Sequence, residues 1–186
     1  MSIQVTKRRF SIDEYYRMAE AGILSEDDRV ELIEGEIIKM APIGSRHAAC
    51  VRRLDTLFNR LVSQTALISV QSPVRLSNFS EPQPDISLLK PRDDFYSGEH
   101  PTPADVLLII EVSDTSIEYD RDIKIPLYAT SLIPEVWLVN LIKDIVEIYR
   151  DPRSGIYREV HYATRGETVN PQTNPNLAIN VDAILG

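Results

Sequence analysis

The alternation of apolar and polar positions divides the chain into short elements. "SIDEYYRMAEAG" has the polar start and glycine end of a short helix, with Ser11 or Asp13 able to cap it and Gly22 able to end it. "RVELIEGEIIKMAP" reads as two strands around the turn pair Glu34-Gly35, with Pro42 closing the second. From Ser45 to Gln64, the apolar residues Ala48, Val51, Leu54, Leu57, Phe58, Leu61 and Val62 recur at steps of three and four, the spacing of one helix face. Three apolar runs then read as strands: "ALISVQSPVRLS", "QPDISLLK" and "DVLLIIEVSD". The last two are joined by the loop "PRDDFYSGEHPTPA". "SIEYDRDIKIPLYATS" has helical spacing at Ile123, Leu127 and Tyr128, and Pro126 must lie in the first turn of that helix or kink it. "EVWLVNLIKDIVEIYRDPRSGIYREVHYAT" predicts strands with turns at Lys143-Asp144 and "DPRSG". The tail "NPQTNPNLAINVDAILG" predicts a loop and a last strand or short packed end.

The order of hairpin, helix, strands, helix, strand and hairpin predicts an α/β or α+β domain with one mixed central sheet. Two helices, each with one apolar face, flank it, and a β-hairpin precedes it. At 186 residues and 43% hydrophobic, the chain fits one domain, 1–186, around one core. No run approaches the roughly 18 apolar residues that cross a bilayer, and "MSIQVTKRRF" lacks the apolar stretch of a signal peptide. The single cysteine, Cys50, leaves no internal disulfide and no cysteine-rich zinc site. It reads as a small buried residue, because no histidine partner is placed for it. Together these features point to the cytoplasm.

A net charge of −8 argues against nucleic-acid binding through a broad basic surface. The distribution is more informative than the total. Arg46, His47, Arg52, Arg53 and Arg60 gather on one predicted helix against only Asp55, either as a solvated face or as a local phosphate-facing patch. No Ser-His-Asp arrangement is apparent, and seven glycines leave little material for a phosphate-cradling loop, so no nucleotide cofactor is expected.

Three residues carry candidate chemistry. Asp85 opens the strand "PQPDISLL", Glu111 ends the most hydrophobic strand, and Lys124 follows on the next element. Carboxylates are rarely buried, so two of them on central strands call for a partner. On adjacent strands, the pair can hold a hard divalent cation; Mg²⁺ fits best, completing its shell with water and substrate phosphate. A lysine beside it can orient the attacking water and stabilise charge on a pentavalent phosphate. The competing reading is structural: Glu111 and Lys124 form an ion pair tying helix to sheet, and Asp85 caps a turn. Buried pairs need not stabilise a fold, so that reading accounts less well for the placement.

"PD" at Pro84-Asp85 followed by an apolar strand ending in "IIEVS" resembles the PD-(D/E)XK nuclease superfamily. More closely, "RVELIEGEIIKM", "SRHA", "PQPDISLL" and "IIEVSDTSIEYDRDIKIPLYATSLIPEVWLVN" resemble, from about Tyr15 to Ile148, the bacterial Uma-type family of restriction-endonuclease-like proteins. The resemblance implies a restriction-endonuclease-like core. The simple superfamily motif expects a lysine where Ser113 stands. In the Uma-type arrangement the lysine comes from the following helix in a D-x-x-x-K pattern, which Asp120 and Lys124 match. Carried over, Asp85 and Glu111 become metal ligands, the Val112 carbonyl a third, and Lys124 the catalytic cation. Glu31 and His47 match further recurrent positions. Glu31 is either an acidic ligand or a partner for an arginine in the hairpin; His47 either contacts phosphate or water near the metal, or caps and packs its helix. Asp120 reads as a partner that positions Lys124, Tyr128 as core with its hydroxyl at a polar edge, and Trp137 as core only.

These residues imply a Mg²⁺-dependent DNA endonuclease, with Mn²⁺ as a substitute ion, DNA as its partner, and a homodimer as the arrangement that cuts both strands. The alternative is a catalytically silent nuclease fold acting as a binding or assembly module, which the net charge favours and the intact Asp85, Glu111 and Lys124 set opposes. A metal-dependent hydrolase of a small phosphorylated substrate would use the same groups.

Overall fold

A computed structural model describes residues 7–25, 27–62 and 65–186. Its centre is a six-stranded sheet in the order β3 (Leu67–Val70), β4 (Ile86–Leu89), β5 (Val106–Ser113), β6 (Glu135–Asn140), β7 (Ile145–Arg153) and β8 (Ile156–Thr164). Only β5 and β6 are parallel; the other neighbours are antiparallel. Parallel neighbours need a crossover, and residues 117–130 provide it as one helical run. The run comprises α3 (Ile117–Tyr119), a π-helical turn (Asp120–Lys124) and α4 (Ile125–Thr130).

The period of two along β5 decides what each residue meets. Leu108, Ile110 and Val112 face α2 (Ser45–Val62) and α5 (Val181–Leu185), packing with Phe58, Trp137 and Ile184. Ile109 faces the other way and packs with Tyr128, Val136 and Leu138 under α4. Glu111 has the parity of Ile109, so it points at the crossover helix rather than at solvent. Each large side chain fully buried in these two layers contributes about 1.5–3 kcal/mol. Of the helix face expected over α2, Val51, Leu54, Phe58 and Val62 are buried, Ala48 and Leu57 are half-buried and Leu61 is exposed, while Cys50 is buried beside the stripe.

Outside the sheet, α1 (Ile12–Glu20) begins at a capping box in which Ser11 and Glu14 bond each other's backbone, and it gives way to Gly22 at φ +72°. The hairpin β1 (Val30–Ile33) and β2 (Glu36–Lys39) turns through Glu34 (φ 49°) and Gly35 (φ 81°), both left-handed as a two-residue hairpin turn requires. A Cβ at Gly35 would stand 2.5 Å from Cβ of Arg9, so glycine is required twice over. The hairpin lies against residues 79–83: Glu81 N–H donates to Leu32 O at 2.7 Å and Gly35 N–H to Phe79 O at 2.7 Å. That docking carries Glu31 to the end of the central sheet.

One local expectation needs correction. "ALISVQSPVRLS" is not one strand, because β3 stops at Val70, where Gln71 turns left-handed (φ 47°) ahead of Pro73. Val74 and Leu76 are buried in irregular chain held by bonds from their N–H groups to Pro82 O and Ser80 O. Pro126 lies in the first turn of α4, one of the two places expected for it, although helical structure already begins upstream at Ile117. A π turn precedes it, in which Ile125 N–H reaches back five residues to Asp120 O. The wider turn accommodates a ring that has no N–H to donate and would press on a regular helical turn. The tail forms both expected elements: β9 (Thr168–Val169) pairs with β10 (Ile179–Asn180), which leads into α5. Among the described residues, no helix is long and apolar enough to cross a membrane.

Candidate active site

Five segments meet at one end of the sheet: β1 of the hairpin, the first turn of α2, the chain entering β4, the end of β5, and the π turn. Between them lies a cleft of about 390 Å³ lined by Glu31, His47, Asp85, Glu111, Asp120 and Lys124, together with the Val112 backbone. The site residues expected from the sequence are thus gathered in one place.

Each is held by named contacts. Asp85 Oδ2 accepts from Val112 N–H at 2.9 Å and lies 2.9 Å from His47 Nε2, while Oδ1 accepts from Gln71 at 3.1 Å. In an extended residue, N–H and C=O point to the same strand edge, so the Val112 carbonyl opens on the side of Asp85. Lys124 Nζ sits 3.2 Å from Glu111 Oε1 and 3.3 Å from Glu31 Oε2. The Tyr128 hydroxyl donates to Glu111 Oε1 at 2.5 Å, and the Tyr119 hydroxyl donates to Glu31 Oε1 at 3.1 Å. Glu31 therefore pairs with Lys124, not with a hairpin arginine. Asp120 accepts from the hydroxyls of Ser113 and Ser116, which ties the start of the π turn to the end of β5. His47 keeps its Nδ1 buried without a partner among the described residues.

Charge is unbalanced here. Glu31, Glu111, Asp120 and Lys124 are all at most 5% exposed. Burial pushes the Glu111 carboxyl up to about 8; Lys124 and Tyr128 oppose this, while Asp120 and Asp85 add to it. Burial also raises Asp120, against the pull of Lys124, Ser113 and Ser116. Burial would lower the Lys124 ammonium, but Glu111, Glu31, Asp120 and Asp85 hold it charged and well above its usual value. Burial would raise Asp85, yet the bonds from His47, Val112 N–H and Gln71 keep it below the usual range. At the buried end of the cleft, four carboxyl groups around the ammonium of Lys124 leave a deficit of positive charge, while Arg29 and Lys39 stand exposed on its hairpin side.

That deficit fits a hard divalent cation. The donors are carboxylates and a backbone carbonyl, and the one histidine is already bonded to Asp85. Among the described residues, no three His, Cys, Asp or Glu side chains form a ready-made cage.

The arginine-bearing helix is less available than its sequence implies. Arg46 pairs with Asp144 at 3.0 Å, and Arg53 donates to the carbonyls of Ile184 and Leu185. Arg52 and Arg60 remain exposed. Trp137 is core, its N–H donating to Glu135 at 2.8 Å, and Cys50 is buried with its thiol pushed up to about 11 by burial. Sequence reasoning missed Gln71, Tyr119 and the roles of Ser113 and Ser116. Tyr119 carried a usable signal, its place in the same helical run as Lys124; Gln71 carried none.

A mixed sheet flanked by helices, with two carboxylates and a lysine at one end, places the chain in the restriction-endonuclease-like class of nuclease folds. The chain belongs to the Uma2 family, described as "Putative restriction endonuclease", which it matches over residues 12–182. It is similar to a crystal structure of a putative nuclease belonging to DUF820 from Anabaena variabilis, with a TM-score of 0.71 and 19% identity over 95% of this chain and 97% of that one. At that identity, the likeness is one of fold. No curated protein matches the chain.

Proposed function

We propose that the protein is a Mg²⁺-dependent DNA endonuclease that hydrolyses phosphodiester bonds, with Mn²⁺ as a substitute ion and a homodimer as the working unit. The observation that carries this reading is the meeting of Asp85, Glu111 and Lys124, far apart in sequence, at the wall of one cleft, with Lys124 Nζ 3.2 Å from Glu111. Asp85, Glu111 and the Val112 carbonyl would hold Mg²⁺, which supplies charge to acidify a water and neutralise the scissile phosphate.

The chain's own groups do the rest. Lys124, kept protonated by Glu31 and Glu111, orients the attacking water and stabilises negative charge building on the phosphate. Tyr128 fixes Glu111, and His47 with Gln71 fixes Asp85, so the ligands need not reorganise during the reaction. Asp120 anchors the π turn that aims Lys124. Arg29 and Lys39 line the cleft on the hairpin side, where they face the phosphate backbone of a bound strand.

Titration of the metal-free protein with Mn²⁺ tests this reading. Binding that is lost in Asp85→Asn supports it. Failure of the wild type to bind Mn²⁺ or Mg²⁺ would assign the cleft to a silent nuclease fold.

A further inference from the structure

β8 is the open edge of the central sheet. Among the described residues no strand pairs with its outer side, and its middle residues, 158–162, are all exposed. The opposite edge, β3, has only four residues, whereas β8 has nine, with neither proline nor glycine. Ile156 is 50% exposed, Val160 38% and Tyr162 63%. Proteins that stay monomeric usually blunt such an edge with a short strand, a proline, a bulge or repeated lysines.

We propose that two copies of the chain join edge to edge through β8, antiparallel, about a two-fold axis at Val160. Residues directly opposite in an antiparallel pair share a face, so a two-fold seam must pass through a residue rather than between two. Three registers keep the exposed stretch centred. An axis at Glu159 sets Glu159 against Glu159 of the second copy, and an axis at His161 sets two imidazoles together. The axis at Val160 sets valine against valine, Glu159 against His161 twice, and Arg158 against Tyr162 twice. An imidazole N–H bonds a carboxylate whether or not the ring is charged, so the Glu159–His161 pairs hold in either state. Main-chain bonds of the kind made when a strand adds to a sheet edge carry the association, and these pairs fix its register. Nine residues per strand give a seam of about 30 Å. This inference gives the homodimer of the proposed nuclease its interface, yet its readout is mass and does not depend on cleavage.

The test is sedimentation equilibrium of the full chain between about 1 and 100 µM, with two substitutions at one exposed position. His161→Glu opposes Glu159 with a second carboxylate and should weaken the dimer at least about tenfold, while His161→Lys keeps opposite charges and should leave it within about threefold. Circular dichroism spectra matching that of the wild type show that both variants are folded. A wild type that remains monomeric at 100 µM overturns the proposal. So does a dimer indifferent to His161→Glu, or one lost equally in both variants.

Discussion

Replacing Lys124 by methionine keeps the length and apolar stem of the side chain and removes only its charge. The ammonium lies 3.2 Å from Glu111 and 3.3 Å from Glu31, with 5% of the residue exposed. At an effective dielectric of about 20, one charge pair at such a distance is worth about 5 kcal/mol before desolvation. Removing one partner of a buried pair generally costs about 3–5 kcal/mol. Glu111 relieves part of this, because a carboxyl pushed up to about 8 takes a proton near neutrality. The expected loss in the metal-free protein is about 3 kcal/mol at pH 7, a fall of about 6–12 °C in Tm for a chain of this size. The loss should grow at pH 9, where Glu111 is ionised, and shrink at pH 5, where it is protonated. Urea denaturation at the three pH values measures it. A variant as stable as the wild type at pH 9, or a cost that grows on acidification, would refute the reasoning.

Three further outcomes are expected. The folded-state value of Glu111, about 8, lies above its ordinary 4.5, so the folded metal-free protein binds the extra proton and its stability falls as pH rises between those values, by at most about 5 kcal/mol. Mg²⁺ should consequently raise Tm more at pH 8.5 than at pH 6, as thermal melts would show, and an equal shift at both would contradict the charge-deficit account. Tyr128→Phe removes the 2.5 Å bond to Glu111 and should weaken Mn²⁺ binding about tenfold in calorimetric titration. Cys50, buried with its thiol pushed up to about 11, should react with a disulfide reagent only on unfolding, and rapid labelling of the native protein would contradict its placement.

Most of the sheet was legible because β4 and β5 are apolar runs bounded by turn residues, and the Glu34-Gly35 pair demands a hairpin. That Asp85, Glu111 and Lys124 meet was legible because a carboxylate at the end of a core strand needs a partner, and the resemblance pointed to the lysine on the following helix. The π turn was not. At 3.6 residues per turn, Tyr119 and Lys124 would point roughly 140° apart. The π turn lets one turn span five residues, so Lys124 Nζ lies 6.0 Å from the centre of the Tyr119 ring. No periodicity at helical spacing reveals that extra residue, although Pro126 marks where it is needed. Gln71 was invisible for a different reason: its position depends on a left-handed backbone turn at the end of β3, which a β-rich run of residues conceals. The loss of Arg46 and Arg53 to partners on β7's approach and the C-terminal helix also depends on contacts between distant segments.

The central claim is that Asp85, Glu111 and Lys124 form one metal-dependent hydrolytic site. Cleavage of supercoiled and linear DNA with Mg²⁺ or Mn²⁺, comparing the wild type with Asp85→Ala and Lys124→Ala, tests it most directly. The account predicts metal-dependent cutting by the wild type that is lost in both variants, with Asp85→Ala also losing Mn²⁺ binding. Cutting that persists in both variants would contradict it.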